Sequence, residues 1–151
     1  LGTEKGDPDI MQQPPRPPKE PIINKSMWGG VAVQAIAITI ATLVAYFIGL
    51  GHDELYAETM AFVTLSFSEL LRAFTARSAR HSIFKIGVFT NKWMNIAVLF
   101  SAALVLAVVY IPSLNPLFST EPLTSTEWLQ IVPLIFLPAV VTELYKLVAK
   151  A

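Results

Sequence analysis

Two ionisable residues, Glu69 and Arg72, stand inside an otherwise apolar stretch, ETMAFVTLSFSELLRAFTARS at 58–78. On a helix, Phe62, Leu65, Ser66, Glu69, Arg72 and Ala73 share one face, because residues three and four apart stack. Ser66, Glu69 and Arg72 form a polar stripe within that face. In a bilayer each charge near mid-span costs about 2.5–3.5 kcal/mol on insertion scales. Such a stripe is either a polar seam between helices or an ion site. In the first reading Glu69 pairs with Arg72, or is protonated and hydrogen-bonded to a neighbouring helix. In the second, Glu69 is a carboxylate ligand for a hard cation such as calcium, which takes roughly six to eight oxygens. One carboxylate is far too few for that, so other helices would have to complete the site.

The elements that must position this stripe follow from the hydrophobic pattern. The chain has 151 residues, 54% hydrophobic and 15% charged, against about 25% charged in ordinary soluble domains. Its mean hydropathy is +0.55, and the apolar residues fall in long blocks, the pattern of an integral membrane protein. The spacing predicts four transmembrane helices over about 28–50, 56–76, 93–111 and 128–147, an all-α membrane region at 28–151. The first, of about 23 residues, crosses a ~30 Å core at about 1.5 Å per residue. It has no charge, and Ala37, Ala41 and Ala45 make a ridge that lets a neighbour approach. Gly29 and Gly30 extend the opportunity at its start. The third span offers Ala103 and Ala107 in the same way. Pro133 and Pro138 interrupt the fourth, where Ser or Thr from neighbours can satisfy the freed carbonyls.

Residues 1–27 form a Pro-rich segment, with six prolines between Pro8 and Pro21. It is expected to run extended, partly as polyproline II. The chain starts without Met, and its first apolar block follows this segment, which is not the layout of a signal peptide; a piece of a longer protein is expected. Every Lys and Arg lies before the first span, between Arg72 and Lys92, or near the C-terminus. By the positive-inside rule both termini and the middle loop are cytoplasmic. The Trp residues, with Tyr56, Tyr110 and Tyr145, fall near span ends, where amphipathic rings sit. That topology places the sequon Asn24-Lys25-Ser26 in the cytoplasm; the basic loop could bind nucleic acid or anionic lipid, but topology alone explains its sign, and no nucleic-acid partner is expected.

Soluble-enzyme chemistry finds no foothold. There is no cysteine, which excludes disulfides and thiol catalysis. His52 and His81 lie in opposite loops and read as solvated. Glu143 and Lys146, three apart near the end of the fourth span, read as an interfacial pair of little energetic weight. No Gly-rich phosphate loop or metal-ligand spacing occurs.

Three stretches, DPDIMQQPPRPPKEPII, MAFVTLSFSELLRAF and RSARHSIFKIGVFTNKWMN, resemble in order the C-terminal membrane region of type II P-type cation ATPases. The similarity is greatest to the calcium-pump branch, including its bacterial members. The resemblance implies that 1–27 is the cytoplasmic loop after the sixth helix and that the four spans are helices seven to ten. It implies a catalytic aspartate, a nucleotide domain and most ion ligands upstream, with ATP and magnesium used there and calcium as the transported ion. The segment alone would carry no catalytic residue and no cofactor. Its partners would be the upstream helices and cytoplasmic domains of the same pump and the lipid bilayer, in the plasma membrane of a bacterium. Glu69, in SELL, matches the family's eighth-helix acidic residue that contributes to a cation site. Arg72 departs from the neutral residue expected one turn later; a guanidinium there favours an ionised Glu69 and competes with a cation for it. The remaining alternative is a freestanding four-helix membrane scaffold or small transporter.

Overall fold

The computed structural model describes residues 10–12, 25–78 and 81–148. Among them the elements are a 3-10 turn at Ile10–Gln12 and six helices: α1 Lys25–Gly49, α2 Glu54–Thr75, α3 Ile83–Ile86, α4 Lys92–Tyr110, α5 Asn115–Phe118 and α6 Ser125–Val148. The expected polyproline run and the sequon's Asn24 lie outside the described residues. Three helices are long and apolar enough to cross a membrane: Met27–Gly49, Lys92–Tyr110 and Ser125–Val148. The regular elements among the described residues are all helical, and the chain is that of an integral membrane protein. Helix α2 has the length, with 22 residues, but carries Glu54, Glu58, Glu69 and Arg72.

Helices α1, α2 and α6 pack on one another, and α4 touches mainly α2. The alanine ridge works as its spacing predicts, with Ala41 and Ala45 fully buried and Ala37 nearly so. Where α1 turns into α2, the backbones come so close that a Cβ on Gly49 would stand 2.5 Å from the Ala57 Cα. At the other end Gly29 lies under the Tyr145 hydroxyl of α6, with no space for a side chain. Small residues at both ends and the middle of α1 therefore set its distance from its neighbours. The core between the helices holds Ala45, Met60, Val63, Val109, Leu123, Ile131 and Ile135. Helix α4 differs. Only Met94 and Val109 of it are buried, Ala103 is exposed, and Leu99 and Phe100 point outward, as lipid-facing side chains do.

Caps define the helix limits. Asp53 accepts from the Tyr56 N–H at 2.9 Å to start α2, and Asn91 from the Met94 N–H at 3.1 Å to start α4. At the far end of α4 the Asn115 amide donates to the Val108 and Val109 carbonyls, and the Thr120 hydroxyl donates to Val108. These bonds organise the short α5 within what the hydrophobic pattern marked only as a loop. Helix α6 runs unbroken through Pro133 and Pro138. Next to the carbonyl that Pro138 leaves without a donor, the Ser68 hydroxyl of α2 donates to the Ile135 carbonyl at 3.2 Å. The Thr142 hydroxyl donates to the Pro138 carbonyl at 2.7 Å. Side-chain hydroxyls thus support the weakened ladder, as expected of proline inside a bundle.

Candidate functional site

Helix α2 has two faces of opposite character. Met60, Val63, Thr64 and Ser68 are buried against its neighbours. Glu58, Phe62, Leu65 and Arg72 are exposed along the other side, with Glu69 among them half-buried. The polar stripe lies on this second face, turned away from the packed core. It comes together as a pair: the Arg72 Nε donates to Glu69 Oε2 at 2.6 Å, with side chains 50% and 41% exposed. Ser66 sits one turn earlier, half-buried.

The guanidinium holds the partly exposed Glu69 carboxylate as an acceptor on its own helix. A single carboxylate supplies at most two of the roughly six to eight oxygens that a calcium ion takes. Among the described residues no group of three or more His, Asp or Glu could hold a metal. Whatever ion Glu69 met, most of its ligands would come from elsewhere.

A second polar cluster was not foreseen as such. Glu143 and Lys146 of α6 are not an exposed surface pair; their side chains are only 14% and 7% exposed. Lys146 Nζ donates to Glu143 Oε1 at 2.9 Å and to the Thr75 carbonyl at 2.5 Å, at the C-terminal end of α2. The other carboxylate oxygen, Oε2, accepts from the Ile83 N–H at 3.1 Å, at the start of α3. One ion pair therefore joins three segments, α2, α3 and α6. The lysine sits at the negative end of the α2 dipole, where a cation is favoured. The spacing in the sequence carried no sign of this burial, because the partners of the pair lie 60 and 71 residues away along the chain.

Of the two loop histidines, His52 is exposed, as a solvated reading requires, whereas His81 is not. His81 is buried, and its N–H donates to the Ser78 hydroxyl at 3.0 Å. His52 stacks on the Tyr56 ring, centroids 5.2 Å apart, with Nε2 3.7 Å from a Glu127 carboxylate oxygen. Glu127 is itself buried at the first turn of α6. It accepts from the Thr124 N–H at 2.7 Å and from the Thr124 hydroxyl. Thr124-x-x-Glu127 is thus half of a capping box, which the spacing in TSTE could have revealed.

Residues 1–148 match the family model described as cation transporting ATPase, C-terminus. The calcium-transporting ATPase 1 of Bacillus cereus is 34% identical over 99% of this chain, and the calcium-transporting ATPase of Bacillus subtilis is 33% identical over 91%. The calcium-transporting ATPase type 2C member 1 of Mus musculus is 32% identical over the whole chain. The chain spans only 19%, 16% and 17% of these relatives' own lengths. The match to the family model over 1–148 and the identity to these relatives point the same way: the chain belongs to the C-terminal family of cation-transporting ATPases.

Proposed function

We propose that this chain is the helix seven-to-ten segment of an ATP-driven calcium pump, with α1, α2, α4 and α6 all crossing the membrane and both ends of the segment cytoplasmic. The observation that carries the reading is the match over 1–148 together with the small share of each relative that the segment spans. Upstream parts of the same pump would supply the phosphorylated aspartate, the nucleotide site with ATP and magnesium, and most ion ligands. The segment's work is then mechanical. It braces the ion-carrying helices and presents the outward face of α2 to them.

Under this reading α2 can be a span despite its charges, because its polar face meets protein and not lipid. Glu69 lends one carboxylate to a cation site completed by upstream helices, and Arg72, which already holds that carboxylate, competes with the ion for it. The plasma membrane is the location if the source is bacterial.

The test uses the full-length protein that carries this segment, reconstituted in sealed vesicles. ATP-dependent calcium uptake is expected, and Glu69→Gln should raise the calcium concentration for half-maximal uptake or reduce the ions moved per ATP. Calcium uptake of unchanged affinity and stoichiometry in Glu69→Gln would remove the ligand role. Absence of any phosphorylated intermediate in the wild-type protein would remove the pump.

A further inference from the structure

Between the ends of α2 and α4 the chain builds a platform that no step above uses. We infer that this loop is an anchoring surface for anionic phospholipid headgroups, with the rings of Phe84 and Phe89 set into the leaflet boundary. Phe84 and Phe89 are 83% and 85% exposed, and Trp93, at the start of α4, is 69% exposed. Lys85 and Lys92 stand exposed beside them. From 70 to 120 the sequence contains no Asp or Glu. Glu143, the carboxylate that reaches this segment, is already paired with Lys146, and exposed aromatics interleaved with cations fit a surface that is apolar just below and negative at its edge.

The platform is rigidly presented. The Ser82 hydroxyl accepts from the Phe84 N–H, and the Ile83 N–H is held by Glu143. Arg77 donates to the Gly87 carbonyl at 2.7 Å and to the Thr90 hydroxyl at 2.6 Å. Because Ile83 is buried while its neighbour Phe84 is not, the fold pins one side of α3 and displays the other. Depth fits as well. Lys92 opens a helix long and apolar enough to span, so the platform stands at the level where the hydrocarbon ends, and there Trp and Lys side chains prefer to lie. A docking protein would have to neutralise the lysines with acidic residues, whereas an anionic leaflet offers that charge along with the apolar boundary.

The inference rests on the membrane-embedded reading and is tested separately from it. A photo-crosslinking benzoylphenylalanine replaces Phe84, Phe89 or, as a control within the span, Leu99, in the full-length protein. The protein is reconstituted in nanodiscs of phosphatidylcholine alone or mixed with phosphatidylglycerol, and the adducts are identified by mass spectrometry. Lipid adducts are expected at all three positions, with phosphatidylglycerol enriched over its bulk share at 84 and 89 only. Adducts to protein at 84 and 89, with lipid at 99, would overturn the platform and leave the membrane reading standing. No lipid adduct at 99 would remove both. A second measurement needs no unnatural residue. Native mass spectrometry of Lys85→Gln and Lys92→Gln should show the preference for phosphatidylglycerol falling about fivefold for each lysine removed. An unchanged preference in the double variant would overturn the proposal.

Discussion

Two acid–base pairs in this chain share one local geometry and have opposite surroundings. Glu69–Arg72 on α2 and Glu143–Lys146 on α6 are both spaced i, i+3, with N–O distances of 2.6 Å and 2.9 Å. The first pair is about half exposed, and the second is almost closed off. In the closed pair each partner has a further hydrogen bond to a backbone group of another segment, so the desolvated charges have somewhere to direct their remaining lone pairs and protons. In the open pair the carboxylate is attached to one guanidinium on its own helix and to nothing that fixes the fold. Burial and long-range partners, rather than spacing, decide which pair is structural.

The comparison breaks most visibly at Lys146. Lys146→Met should lower stability by about 3–5 kcal/mol, because Glu143 then stays buried without a counter-charge. Thermal unfolding of the detergent-solubilised protein would measure this. The double variant Glu143→Gln, Lys146→Met should recover much of the loss. A loss in the single variant no larger than a surface pair gives would show that the closed pair is not closed in the working protein.

The next effect calibrates the same helix contact without charge. Ser68→Ala removes the hydroxyl bond to the Ile135 carbonyl beside the proline and should cost about 0.5–1.5 kcal/mol by the same melt, the net range for one intramolecular hydrogen bond. The smallest effect belongs to the open pair. Arg72→Gln should change stability by about 0.2–1 kcal/mol, as exposed pairs do. A cost as large as that of Lys146→Met would mean that upstream helices bury Glu69–Arg72 as a structural pair, and the contrast would collapse.

The parts of the fold that depend on composition were legible in the sequence. Long uncharged blocks place α1, α4 and α6, and the four-residue alanine spacing in α1 gives its packed face. Hydroxyl support for the proline-interrupted helix was also expected, though not that Ser68 would supply it. The anomalous face of α2 was readable from periodicity, and Glu69 and Arg72 meet as their positions require. What could not be read were contacts between residues far apart in sequence. Glu143 to Ile83 spans 60 residues, and Lys146 to Thr75 spans 71. No local rule distinguishes such a pair from an exposed one at the same spacing. The short helices α3 and α5 escaped for a related reason. Four residues carry no hydrophobic period, so only their caps reveal them.

The reach of Lys146 also has a consequence in time. Its carbonyl partner, Thr75, lies 71 residues earlier, so at about 5–20 residues per second synthesis takes several seconds to deliver the lysine after the end of α2 has been made. During that interval the α2 C-terminus has no ammonium to accept, and the Ile83 N–H has no carboxylate. The two earlier helices and their connecting loop therefore wait in an incomplete state for α6. A nascent chain halted before Lys146 presents an open carbonyl end and a loop that α6 has not yet latched.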